Sequence, residues 1–112
     1  MAEIEKIVWV GPARDELREL PEKARVRLAR GLDRIQHGGE PGDWKSLPSI
    51  GPGVCEIRCR DDAGSYRCLY AVKGKPPVLY VLVAFTKKTQ KTPSSVISLA
   101  KTRYSAVLGK KK

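Results

Sequence analysis

Histidine is almost missing from this sequence: His37 stands alone, accompanied by only three cysteines, Cys55, Cys59 and Cys68. None of the three forms a Cys-x-x-Cys pair, so the spacing offers no zinc site, and no metal or other cofactor is expected. An odd number of thiols in apolar, strand-like surroundings also argues against a disulfide framework; buried, reduced side chains are the expectation. Long hydrophobic runs are absent too. The longest, around Val78 to Phe85, suits a strand and falls well short of a membrane span. Met1 to Lys6 alternates charges without the layout of a signal peptide, so a cytoplasmic protein with no membrane partner is expected. Acidic residues are the last shortage: 12 Asp and Glu stand against 22 Lys and Arg, a formal net charge of +10 over 112 residues.

So basic a small body calls for a polyanionic partner. Nucleic acid leads, because lysine and arginine displace the counterions condensed on phosphates. An acidic protein or an anionic membrane surface would satisfy the same balance.

What is present is enough for one domain, residues 1–112, with a basic tail at 110–112. Hydrophobic residues make up 41% of the chain, which excludes a disordered tail. A β-prone run from Glu5 to Val10 ends at Gly11-Pro12, where proline can occupy the first helical position. Leu17 and Leu20 mark a short helix stopped by Pro21. A longer one follows to Gln36, with Ala24, Leu28, Leu32 and Ile35 at helical spacing and Arg25, Arg27, Arg30 and Arg34 on the rest of its surface. His37 to Gly53 is rich in glycine and proline and reads as a long loop pinned by Trp44, Leu47 and Ile50. Three strands come next, Val54 to Arg60, Ser65 to Val72 and Val78 to Thr86. Thr92-Pro93 then reads as a cap and first-turn proline of a closing helix to Gly109, with Val96, Ile97, Ala100, Tyr104, Val107 and Leu108 on one face. The class is α+β: an antiparallel sheet packed by an N-terminal helical hairpin and a C-terminal helix.

Strand parity yields a candidate site. A four-residue loop at Asp61 to Gly64 sets Arg58 opposite Arg67, on the face that carries Glu56 and Leu69. Cys55, Ile57, Cys59, Tyr66, Cys68 and Tyr70 fall on the other face and read as core. An odd loop in the second hairpin would bring Val83, Phe85 and Lys87 onto the face of Arg67, with Lys88 and Lys91 just beyond the strand end. Two arginines side by side repel unless an anion or carboxylate intervenes, and Glu56 is near enough to relieve part of that cost. A β-bulge would flip part of this parity.

Three segments together form a specific pattern: Val54-Cys55-Glu56-Ile57-Arg58, Tyr66-Arg67-Cys68-Leu69-Tyr70, and Phe85-Thr86-Lys87-Lys88-Thr89-Gln90-Lys91-Thr92-Pro93. The pattern resembles that of the phage-derived, HigB-like branch of the RelE superfamily of toxins. Ala100 and Arg103 fit the family's last helix, whereas cysteines stand at Cys55 and Cys68 in place of common aliphatics. The resemblance implies a compact RelE-like domain that is the toxin of a type II toxin–antitoxin pair. It implies a ribosome-dependent endoribonuclease (an mRNA interferase) contacting 16S rRNA and neutralised by a helix-turn-helix antitoxin. In such chemistry the 2′-OH of the RNA attacks the adjacent phosphorus, so the protein must orient it, stabilise the phosphorane and protonate the leaving oxygen. Arg58 and Arg67 suit the phosphate oxygens; Lys87, Lys88 or Lys91 suits proton transfer. Phe85 suits stacking on a base, and Tyr104 is a further RNA contact with core packing as its alternative. Arg25, Arg27, Arg30 and Arg34 would grip ribosomal RNA. Two other functions fit the same residues: a basic RNA- or DNA-binding module without catalysis, and a phage-derived interaction protein.

Overall fold

In a computed structural model the chain runs β1 (Lys6–Trp9), α1 (Ala13–Arg18), α2 (Glu22–Gln36), β2 (Trp44–Ser46), β3 (Val54–Asp61), β4 (Gly64–Lys73), β5 (Val78–Lys87) and α3 (Ser94–Gly109). The structure describes residue 4 and residues 6–88 and 91–109; the basic tail at 110–112 and Thr89-Gln90 of the basic segment lie outside the described residues. The strands form one sheet in the order β1-β5-β4-β3-β2. β2–β5 pair antiparallel, while β1 lies parallel to β5 at the edge. The sheet is therefore mixed rather than wholly antiparallel. β2, inside the expected loop, is an addition that no hydrophobic alternation announced. Trp44 begins it and is exposed rather than pinned to the core, whereas Ile50 is buried and Leu47 partly so.

Helices cover both faces. Along α2 the stripe Ala24, Leu28, Leu32 and Ile35 is buried, as its spacing requires, and meets Ile57, Cys59, Cys68 and Tyr70 of the sheet together with Leu17 and Leu20. Gly31 completes that stripe, because a Cβ there would stand 3.2 Å from the Pro41 carbonyl oxygen and 3.3 Å from Ile57. On the other face Ala100, Tyr104 and Val107 of α3 pack on Val54, Leu69, Ala71, Leu82 and Val83. β5, sandwiched between β1 and β4, feeds both cores, which explains its unbroken apolar run. Prolines open the helices one position earlier than expected. Pro12 and Pro21 stand at the N-caps of α1 and α2, and the Pro93 carbonyl accepts from the Val96 and Ile97 amides. Each thus sits outside the turn, where its missing N–H costs nothing.

The Arg58–Arg67 pairing is as the parity argument required: Glu56 meets Leu69, Arg58 meets Arg67 and Cys59 meets Tyr66. The second hairpin reaches the expected face by another route. Lys73 pairs with Val78 across an even loop of residues 74–77, not an odd one, and the register then shifts between Leu69 and Tyr70, leaving Leu82 unpaired. Leu82 and its neighbour Val83 both turn toward α3. Beyond this bulge Leu69 meets Val83, Arg67 meets Phe85 and Ser65 meets Lys87. The bulge supplies the odd residue that the turn lacks.

β1 ends at this same level, leaving β5 backbone groups unpaired on its outer edge, and two side chains take them up. Arg103 donates from Nη1 to the Leu82 carbonyl at 2.7 Å and to Glu16 Oε1 at 2.8 Å, and from Nη2 to Glu16 Oε2 at 2.7 Å. The Ala84 amide donates to Glu16 Oε1 at 3.3 Å. This clamp joins α1, β5 and α3, with Arg103 only 10% exposed in its side chain. Removing one partner leaves a charge and backbone groups stranded. Arg103→Ala should accordingly lower stability by about 3 kcal/mol, read as a reduced urea midpoint with an unchanged slope.

Candidate functional site

On the face that α3 covers, the register builds three rows across the sheet. Lys45, Glu56, Leu69 and Val83 form the first; Arg58, Arg67 and Phe85 the second; Arg60, Ser65 and Lys87 the third. The first row runs into the α3 core through Leu69 and Val83, and Phe85 packs partly against its edge. Past Phe85 the side chains become polar and cationic. The site is the place where the helix ceases to cover the sheet.

Arg67 is buried, at 8% exposure, and held from several sides. Its Nη1 donates to Ser65 Oγ at 2.7 Å and to the Tyr66 carbonyl at 3.3 Å, and its Nε lies 3.5 Å from Glu56 Oε1. Desolvation, partly offset by Glu56 and reinforced by Arg58, pushes its pKa below the usual arginine value. Glu56 is 2% exposed, and its Oε2 lies 3.8 Å from Lys45 Nζ. Lys87 is half-buried, and its pKa lies below the ordinary lysine value. Partial desolvation is the main cause, followed by the charge of Arg67; Lys45 and Arg58 act in the same direction and Glu56 against it. Arg58 is drawn to the sheet edge, where Nη2 donates to Asp43 Oδ1 at 2.7 Å.

Of the residues singled out in the sequence, Arg58, Arg67, Phe85 and Lys87 thus share one face. Lys88 and Lys91 are exposed beyond the end of β5. Tyr104 requires a correction: it is 3% exposed and its hydroxyl donates to the Pro52 carbonyl, with its ring over the backbone of Gly51, so it fastens a loop and offers no face to RNA. The α2 arginines divide. Arg27, Arg30 and Arg34 recur at helical spacing and, with Arg58 and Asp43, line a cleft of about 260 Å³ between α2 and the edge of β3. Arg27 also donates to the Arg60 carbonyl at 2.9 Å. Arg25 is not part of that cleft; at 100° per residue it points to the other side of the helix. The cleft lies on the α2 side of the sheet, and Arg58, which pairs with Arg67 in the ladder, reaches its rim at Asp43 beyond the end of β2.

Sequence reasoning missed Lys45, Asp43 and Arg60 as neighbours of this site. Lys45 and Asp43 belong to the segment read as loop, so no strand parity assigned them a face; Arg60 had a parity signal that went unused. The thiols stay apart from the chemistry. Burial raises the pKa of Cys68 to about 12 and shifts that of Cys59 upward, which suppresses the thiolate form.

This architecture, a five-stranded sheet between a helical hairpin and one C-terminal helix, is the RelE fold. The structure of the free-state E. coli toxin RelE, carrying two arginine-to-alanine substitutions, superposes with a TM-score of 0.64 at 19% identity, covering 93% of this chain and 98% of that one. Residues 15–105 match the family described as "Phage derived protein Gp49-like (DUF891)", and the chain belongs to that family. No curated protein matches it in sequence.

The Asp43 carboxylate occupies Arg58 as a phosphate oxygen would. Asp43→Asn should therefore tighten binding of a single-stranded RNA oligonucleotide carrying 2′-O-methyl groups by up to about fivefold at low salt, the worth of a partly exposed ion pair. Fluorescence anisotropy should show the gain vanishing as salt is raised.

Proposed function

We propose that this protein is the toxin of a type II toxin–antitoxin pair and acts as an endoribonuclease on messenger RNA in the ribosomal decoding site. The observation that carries the reading is the meeting of Arg67 and Lys87 on one face, in neighbouring rows, with Phe85 between β5 and the helix cover. Family membership and the RelE fold support it.

The RNA brings its own nucleophile. Lys87, whose ammonium is destabilised by Arg67 and by partial desolvation, can take the proton of the 2′-OH. The resulting oxygen attacks phosphorus in line, the 5′ oxygen departs with a proton, and the products are a 2′,3′-cyclic phosphate and a 5′-hydroxyl. Arg67, fixed through Nη1 and with Nε toward Glu56, offers Nη2 to the equatorial oxygens, where charge accumulates in the phosphorane. Arg58 adds a second guanidinium if phosphate replaces Asp43. Phe85 stacks against a splayed base. Lys88 and Lys91, exposed, serve docking or supply the proton to the leaving group. Arg27, Arg30 and Arg34 grip the ribosomal RNA backbone from the α2 side, with Arg25 as a separate surface contact. A helix-turn-helix antitoxin, as in related pairs, would neutralise the protein.

One observation favours a second reading, a basic RNA-binding module without catalysis: both site arginines already face carboxylates, Arg58 with Asp43 and Arg67 with Glu56. Mapping transcript ends in cells expressing the protein separates the two. The toxin reading expects new 5′-hydroxyl ends within translated codons, diminished on the order of 10²–10³-fold in Arg67→Ala and at least comparably in Lys87→Ala. Full cleavage by Arg67→Ala would remove it from the site, and an absence of new ends with wild type would leave the binding module. Because Lys87 must lose its proton to act as base, cleavage should rise with pH along a limb below the ordinary lysine range. Charge reversal at Arg30 and Arg34 should reduce co-sedimentation with ribosomes in a salt-dependent manner and leave the pH limb unmoved.

A further inference from the structure

A single acid lies buried inside the cationic patch. Glu56 is 2% exposed, so an RNA strand on the surface cannot reach it directly. Its Oε1 has no hydrogen-bond partner, and its charge contacts are Arg67 Nε at 3.5 Å and Lys45 Nζ at 3.8 Å. A buried carboxylate held only by such long contacts contributes little to stability, since desolvation offsets most of the attraction. Its effect must pass through the cations around it.

Two consequences follow from where it sits. With Nη1 hydrogen-bonded to Ser65 Oγ and the Tyr66 carbonyl, and Nε drawn toward Glu56 Oε1 at 3.5 Å by charge without a hydrogen bond, the guanidinium of Arg67 is restrained at two corners, which leaves Nη2 to point away from both. Glu56 also stands among four positive groups that face one another: Lys87 on β5, Arg67 on β4, Arg58 on β3 and Lys45 on β2. It is the one negative charge acting on Lys87 from this group.

We infer that Glu56 is a positioning residue for RNA cleavage, orienting Arg67 so that Nη2 meets the scissile phosphate and holding the mutually repelling cations in one cluster. The inference rests on the endoribonuclease reading but concerns a residue that touches no substrate. A loss of orientation of this kind, rather than of binding, lowers turnover more than affinity.

The test compares wild type, Glu56→Gln and Glu56→Asp on ribosomes programmed with a defined message. Glu56→Gln keeps the shape and removes the charge. It should lower kcat on the order of 100-fold with KM changed less than about threefold. With the negative charge gone, Lys87 gives up its proton more readily, so the limb of the pH–rate profile that it sets should move to lower pH. Glu56→Asp should bring the limb back toward wild type. A wild-type measurement stands beside these in case the variants misfold: the 15N-resolved Nε–H of Arg67, held against a buried carboxylate, should exchange slowly with water. If wild type cuts and Glu56→Gln cuts with unchanged kcat and an unmoved limb, the positioning role is overturned while the enzyme reading stands. An Arg67 Nε–H that exchanges as fast as a free guanidinium overturns it equally. If wild type cuts nothing, the enzyme reading itself falls, and the role of Glu56 with it.

Discussion

Leu82 has no partner on β4, and the side on which the site's cations appear depends on that omission. Had the ladder continued in the register set near the turn, Arg67 would face Ala84, and Lys87 would point toward the helical hairpin. The extra residue turns Leu82 and Val83 together into the α3 core, and apolar burial on that side offsets the loss of ladder regularity. Beyond the bulge Phe85 and Lys87 rejoin the face of Arg67. The strand thus feeds the α2 core through Leu79 and Val81, the α3 core through Leu82 and Val83 at the slip, and the cationic surface at its end.

The same level of the structure carries the clamp in which Arg103 donates to the Leu82 carbonyl and Glu16 accepts from the Ala84 amide, the groups left open where β1 ends. Three elements distant in sequence are tied there. A bulge held only by apolar contacts could slide by one residue; one whose carbonyl is bonded to a bidentate, largely buried arginine has its register fixed chemically. The placement of Lys87 therefore depends on a salt bridge made by residues of α1 and α3.

Among the described residues, two groups of cations flank the edge of β3. One is the Arg67 face, where burial and mutual repulsion lower the pKa of Lys87 and Glu56 counteracts the repulsion. The other is the cleft across the sheet edge, where exposed Arg27, Arg30 and Arg34 stand over a floor of Leu28, Ile57 and Cys59. The first holds its charges close together and partly out of water, the second spreads them along a helix, and Arg58 touches both. A long polyanion wrapping the edge of β3 would engage them together.

Local rules made much of this legible in the sequence. Helical spacing from Ala24 to Ile35, prolines at helix entrances and the Asp61 to Gly64 turn determined the helices, three strands and the Arg58–Arg67 pair, because each depends on neighbours a few residues away. The run from Phe85 to Pro93 determined the family resemblance. Only the tertiary structure decided the rest. β2 has no periodicity of its own and exists because the edge of β3 offers hydrogen bonds. Tyr104 was drawn inward because Gly51 leaves room for its ring and the Pro52 carbonyl accepts its hydroxyl. Lys45 reached the site through that unforeseen strand, and Lys87 through a bulge rather than a turn. In each case the deciding energy comes from groups far apart along the chain, which no local pattern of residues encodes.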